Sequence, residues 1–399
     1  MGEMAGRHRP PEQTPKRQPK GDETMKTACL FIASALMLTM VSAFAQPAPA
    51  PDGAPAAAAG GNGDGAPARG GRGGRGGRGG GAAGGRSMTQ PAPDDFGVKV
   101  DAPALPYHFG PQPVAPLGET FGNVGSIALL PNGDLLVFNR NPDIMMVEYD
   151  PTGTKLKKVF NPNIASNPHG MRVDRHGNIW VIDSYQGVIY KLNGNGNVLK
   201  IFGTRGENDP WDGDKWNGMF NQPLDVNFDK YDNFYVVQSH GGTSSGSAGK
   251  AAAGSDPRVL KFDKDGNYIT SASLAHPDGL YPTIHTVVVA PNGDVWVGDR
   301  HSRKIVVFDK DLKTRHEIAV PNMPCGFFVD STGQLWMSTG RDGRILKMGW
   351  DGKVQGQMGQ IGRDLNGSGE LHYVVVSKNR KDVWVADSTQ AKVLHFVHD

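Results

Sequence analysis

Three histidines recur at one position of a repeated frame. "NPHGMRVDRHGNIWVID", "IHTVVVAPNGDVWVGD" and "LHYVVVSKNRKDVWVAD" carry His169, His285 and His372, each at the head of an alternating run. Imidazole nitrogens are good ligands for borderline divalent metals, and three of them with an open fourth position form the ligand set of a catalytic zinc site. A lone channel histidine usually does no more than bond to water and carbonyls. Three in one column of a repeat point instead to zinc held by His169, His285 and His372. His176, in the turn "RHGN", and His316 lie outside the frame and are expected to take no part.

Three neutral imidazoles cancel none of the metal's 2+ charge. Arg140, in "VFNR", adds a further positive charge at the same end of the repeat, so an anionic ligand, a carboxylate or hydroxide, is expected there. The competing role for Arg140 is a rim salt bridge. Tyr185 and His240 share a loop column and could reach over the site, although such loop residues more often sit at the rim of a binding face. Glu370, two residues before His372, reads as a solvated loop carboxylate, and Cys325 as a buried small hydrophobe. Asp183, Asp299 and Asp387 recur in one column and read as turn caps rather than chemistry.

These residues need a scaffold, and the repeat supplies one. Six copies follow residue ~100: "GSIALLPNGDLLVFN", "HGMRVDRHGNIWVID", "LDVNFDKYDNFYVVQ", "HTVVVAPNGDVWVGD", "CGFFVDSTGQLWMST" and "HYVVVSKNRKDVWVAD". Each pairs two alternating runs across a turn, three of them "PNGD", "RHGN" and "PNGD", with the Asn-Gly or X-Gly chemistry of tight hairpins. Leu136, Trp180, Tyr235, Trp296, Trp336 and Trp384 fall in one column that can fill the space between neighbouring sheets. Third strands follow ("VIYKLN", "RVLKFD", "KIVVFD", "RILKMG", "KVLHFV"), and no 3.6-residue period survives. The fold expected is all-β, a six-bladed β-propeller over 104–399.

The last copy stops at its third strand. The segment from "LPYHFGPQPV" to "LGETFG" is expected to supply the fourth and close the ring, since an open sheet edge invites misassociation. In register, the inner-strand column reads Gly125, His169, Leu224, His285, Cys325, His372. Histidine occupies blades two, four and six, roughly 120° apart in such a ring, so the imidazoles converge on its axis. The insertion containing "SAGKA" lacks the first Gly and the final Ser/Thr of a phosphate loop and reads as a flexible loop.

Residues 1–45 read as an N-terminal extension and signal peptide. "MKTACLFIASALMLTMVSAFAQ" has a charged start, a short apolar run and small residues at Ala43 and Ala45, with Met1 or Met25 as the initiator. Residues 46–103 form a Pro/Ala/Gly/Arg-rich linker, "RGGRGGRGGRGGG" included, expected to be a disordered tether outside the cytoplasm, secreted or periplasmic. Cys29 leaves with the signal, so Cys325 has no internal disulfide partner. A formal net charge of +2 gives no nucleic-acid footprint, and no membrane span is expected after signal cleavage. A monomer is expected.

The blade motifs resemble NHL-repeat propellers, and the spacing of His169, His285 and His372 resembles peptidyl-α-hydroxyglycine α-amidating lyase, over roughly residues 104 to 399. "NPHGMRVD" matches that family's first histidine motif, "IHTVVVA" and "LHYVVVS" the others more loosely, and "FNQPLDV" its third-blade start. The resemblance implies a zinc-dependent lyase that cleaves a small peptide or carbinolamide carrying a carboxylate into amide and glyoxylate, with Arg140 as its active-site arginine. Departures accompany it. The family's catalytic tyrosine aligns with His240, leaving Tyr185 or His240 as the base, and Glu370 replaces a methionine. Its structural calcium, held at the places of Val124 and Met171, would lose its aspartate to Tyr373, so calcium is not expected. The rival reading is a non-catalytic propeller serving as a binding module at the cell surface or in the periplasm.

Overall fold

The computed structural model describes residues 100–160, 164–207, 215–238, 256–275, 283–300, 302–360 and 367–399, all within the compact unit Ala83–Asp399. The segment read as a signal peptide, the Gly/Pro/Arg-rich segment up to residue 99, His240 and the "SAGKA" insertion lie outside the described residues. The described chain forms six antiparallel four-stranded sheets, one per repeat, as expected of a six-bladed propeller. Their innermost strands are Val124–Leu129, Pro168–Val173, Pro223–Phe228, Ile284–Val289, Gly326–Val329 and Leu371–Val376. Among the described residues no helix is long and apolar enough to cross a membrane.

The core is distributed between the blades rather than gathered at one centre. Six apolar clusters each span a pair of adjacent blades, and each takes one residue of the aromatic column: Leu136, Trp180, Tyr235, Trp296, Trp336 or Trp384. Period-2 alternation makes this possible, because each sheet turns one face to either neighbour. Two of the tryptophans do a second task. Trp180 Nε1 donates to Asp174 at 3.0 Å and Trp336 Nε1 to Asp330 at 3.0 Å, tying the second strand to the hairpin turn beside it.

Ring closure follows the expected route. Tyr107–Phe109 pairs antiparallel with Lys392–His398 as the fourth strand of blade six, with Phe109 opposite Phe396. Tyr107 and Phe109 also pack on the cluster between blades five and six. The first and last strands of the propeller are thereby joined within one sheet, which closes the ring and gives blade six the same four strands as the others.

Every blade but the fifth carries a register shift in its innermost strand where the histidine column falls. The shifts lie between Val124 and Ser126, Pro168 and Met171, Pro223 and Asp225, Ile284 and Thr286, and Leu371 and Val374. A bulge turns a side chain away from strict alternation, and here it frees the column residue to face the axis. The inner strands also crowd one another at this height. A Cβ on Gly125 would meet the Pro168 carbonyl oxygen at 2.5 Å, so only glycine fits.

Candidate metal centre

His169, His285 and His372 meet on the propeller axis, each delivered by the bulge of its own inner strand. All three are buried, and one nitrogen from each lies within 4.8 Å of the others. The ring centroids form a nearly equilateral triangle with sides of 5.0, 4.7 and 4.7 Å.

The intervening blades hold the rings in place. His169 Nδ1 lies 3.0 Å from the Leu224 carbonyl, His285 Nδ1 lies 2.6 Å from that of Cys325, and His372 Nδ1 bonds to that of Gly125. Each acceptor is the column residue of the following blade. A carbonyl can only accept, so each neutral ring carries its proton on Nδ1 and presents a bare Nε2 lone pair to the axis. Nε2 of His372 and Nε2 of His285 then stand 3.1 Å apart with lone pairs opposed. A cation relieves that repulsion. Tetrahedral zinc with bonds of ~2.0–2.1 Å keeps its ligand nitrogens roughly 3.3 Å apart, so the donor set and its spacing fit such an ion.

Burial lowers the His372 pKa most; the charges of Arg300 and Arg140 add to this, while the Gly125 carbonyl and Glu370 oppose it, leaving it at about 3 instead of 6.5. The ring is therefore neutral and ready to ligate near neutral pH. In the metal-free protein the unfolded chain takes up this proton near 6.5, whereas the folded chain does so only near 3. The stability involved is complete above the unfolded value and declines as pH falls toward the folded one. We expect the urea midpoint of metal-free protein to drop between about pH 6.5 and 5, above the range in which carboxylates titrate. His372→Asn should flatten that portion of the profile. A flat wild-type profile would show that His372 is not buried as a neutral ring.

Around this centre the chain gathers guanidinium groups. Arg140 Nε donates to the Pro168 carbonyl at 3.3 Å, one residue before His169. The residue is exposed, yet desolvation by surrounding atoms lowers its pKa, against the raising influence of Tyr185 and Glu370 nearby. Tyr185 is exposed at the same end of the channel. His240, the other candidate base, lies outside the described residues.

Glu370 corrects the sequence reading. It is not a solvated loop carboxylate: its side chain is only 12% exposed and ion-paired to Arg300, with Arg341 Nε 3.8 Å from its second oxygen. Burial alone would raise its pKa, but Arg300 and Arg341 hold it down at about 2. Arg300 was overlooked in the sequence although a signal was present, since "VGDR" in blade four repeats the column position of Arg140 in "VFNR". Cys325 is fully buried, and burial pushes its thiol up to about 12, in keeping with a small hydrophobe.

The repeated aspartates act as staples. Asp183 accepts backbone N–H bonds from Ser166 and Asn167 at 2.6 and 3.1 Å, and Asp387 accepts them from Gly369 and Glu370 at 2.7 and 3.3 Å. Both thereby fix the segment leading into a metal-column histidine. Tyr373, in place of the calcium aspartate, is buried and donates its hydroxyl to the Leu224 carbonyl at 3.0 Å. The carboxylate nearby, Asp225, is engaged by Arg172 at 2.7 Å. A phenol and a carboxylate already paired to a guanidinium do not form a calcium donor set.

No protein-family model matches the chain. It is 25% identical over 219 residues to peptidyl-glycine alpha-amidating monooxygenase A of Xenopus laevis, covering 47% of this chain and 21% of that protein. It is 26% identical over 195 residues to NHL repeat-containing protein 3 of Mus musculus, covering 45% of this chain and 50% of the relative. The chain thus spans about a fifth to a half of the length of these relatives. Among solved structures, a streptogramin B lyase matches with a TM-score of 0.51 at 13% identity, over 73% of this chain and 98% of that one. A gluconolactonase of Xanthomonas campestris matches with a TM-score of 0.51 at 15% identity, over 76% and 100%. At such identities the structural matches speak for the fold alone. The chain is a six-bladed β-propeller that resembles, in sequence, peptidyl-glycine alpha-amidating monooxygenase and an NHL-repeat protein.

Proposed function

We propose that the protein is an exported, metal-dependent lyase that cleaves a peptidyl-α-hydroxyglycine, or a related carbinolamide with a carboxylate, into an amide and glyoxylate. The observation that carries this reading is the placement of Arg140 against Pro168, next to the convergence of His169, His285 and His372. The sequence similarity to an amidating enzyme and the export signal read in the sequence support it.

A divalent metal at the three Nε2 atoms would polarise the substrate's α-hydroxyl and ease its deprotonation. The chain's own residues supply the rest. The Nδ1–carbonyl bonds keep the imidazoles from turning away from the axis. Arg140 binds the carboxylate and so orients the hydroxyl-bearing carbon. Tyr185 or His240 takes the hydroxyl proton; the C–O bond becomes a carbonyl as the C–N bond breaks, and the departing amide nitrogen receives a proton. Atoms balance with no further reactant.

Zinc-loaded protein incubated with a synthetic peptidyl-α-hydroxyglycine should release glyoxylate. Arg140→Ala should lower kcat/KM by roughly 30- to 1,000-fold, about 2–4 kcal/mol of lost carboxylate positioning. Tyr185→Phe and His240→Ala, made singly, identify the base by which one lowers kcat. No glyoxylate above the metal-free background would reject the lyase and favour the binding propeller.

A further inference from the structure

Directly beneath the three imidazoles the axis is closed by a second buried layer to which five blades contribute. Arg172, from blade two, donates Nε to Asp225 Oδ1 at 2.9 Å and Nη2 to Asp225 Oδ2 at 2.7 Å, and Nη1 to the Phe327 carbonyl of blade five at 2.9 Å. Asp225, on blade three, also accepts the Thr286 hydroxyl of blade four at 2.9 Å and the Val287 N–H at 3.1 Å. Thr286 in turn accepts the Phe327 N–H at 3.0 Å. Tyr373 of blade six lies under the Arg172 guanidinium, 4.9 Å from ring centre to the charged carbon. All these side chains are buried.

This layer touches the histidines at two places. The Leu224 carbonyl accepts both His169 Nδ1–H at 3.0 Å and the Tyr373 hydroxyl at 3.0 Å. That carbonyl belongs to the peptide joining Leu224 to Asp225, so clamping Asp225 from both sides fixes the direction in which its oxygen points. The Tyr373 ring also packs against all three imidazoles, with centroids 5.0 Å from His372 and 6.2 Å from His169 and from His285. We infer that Tyr373 and Arg172 are positioning residues of the three-histidine centre: through the Leu224 carbonyl and the Tyr373 ring they hold His169 in its Nδ1–H tautomer with Nε2 on the axis. The inference rests on the metal reading of the histidines and is independent of the lyase reaction. Partners that orient a metal-bound histidine typically change metal affinity by about 10- to 100-fold when removed.

Tyr373→Phe deletes a single oxygen and keeps the ring, so it tests the claim without emptying the core. Cobalt(II) titration of this variant should give an affinity about 10-fold or more weaker than wild type, with shifted visible absorption bands. Arg172→Lys, which keeps the charge but loses the two-pronged grip on Asp225, should fall in the same direction. Trp336→Phe is the comparator: buried between blades five and six, it should lower the melting midpoint and leave cobalt affinity and bands alone. In metal-free wild type, imidazole nitrogen chemical shifts should report His169 as Nδ1–H, with Tyr373→Phe broadening or shifting that signal. If Tyr373→Phe behaves like Trp336→Phe, losing stability with affinity, bands and tautomer unchanged, the positioning role is overturned. An Nε2–H tautomer for His169 in wild type would overturn it as well. The tautomer readout needs no metal, so a wild type that binds none would reject the metal reading while still deciding whether this layer positions His169.

Discussion

Purified protein loaded with zinc should hold one ion per chain, and His169→Ala, His285→Ala or His372→Ala should each abolish that stoichiometry at micromolar metal. The expectation follows from how the three ligands are held. Each is pinned by a carbonyl of the next blade, so the site is built before metal arrives and little ordering cost offsets binding. Removing one of three imidazoles from a site of ~10–16 kcal/mol should cost on the order of 3–5 kcal/mol, a loss of roughly 100- to 1,000-fold or more in affinity. His176→Ala and His316→Ala are the controls. His176 pairs with Asp232 at the surface at 3.1 Å, and His316 sits in the exposed outer strand Thr314–Ala319 of blade four. Metal content by elemental analysis decides the matter. Retention of full zinc by the three axial variants would mean that the ion binds elsewhere.

Arg300→Ala should be the most destabilising change among the charged residues of the mouth. It leaves Glu370, whose side chain is only 12% exposed, with Arg341 alone, whose Nε is 3.8 Å away. An ion pair deprived of one buried partner typically costs about 3–5 kcal/mol, because the remaining charge keeps its desolvation penalty and loses its compensation. Replacing both, as Arg300→Met with Glu370→Met, should recover much of that loss, since neither charge is then stranded. Urea denaturation of the three proteins measures the difference directly. A loss below about 1 kcal/mol for Arg300→Ala is what an exposed pair would show, and it would contradict the buried arrangement.

The fold was readable because it rests on short-range periodicities. Two-residue alternation and the column from Leu136 to Trp384 repeat in every copy, with glycine in the turns of four of the six, and each column residue indeed lies between two blades. The convergence of the histidines was readable too, since register within a repeat becomes position around a ring. Other features of the site were hidden. The bulges that aim His169, His285 and His372 are two-against-one mismatches between strands, and one sequence carries no sign of which strand gains the residue. The carbonyl acceptors leave no trace in side-chain identity, as Leu224, Cys325 and Gly125 show by having nothing else in common. Glu370 was misjudged because its partner Arg300 is 70 residues away and two blades distant, a proximity that exists only once the ring has closed. Arg172 was overlooked for the same reason: its ties run to Asp225 on the neighbouring blade and across the axis to Phe327, on strands far apart in the chain.

The candidate metal centre is open to one decisive measurement. Crystals of the zinc-loaded protein, with diffraction recorded just above and just below the zinc absorption edge, locate the ion without reference to any assumed chemistry. The account predicts a single anomalous peak on the propeller axis, bonded to Nε2 of His169, His285 and His372, on the same side of the channel as Arg140. A peak elsewhere, or none at the axis in zinc-saturated crystals, would contradict it.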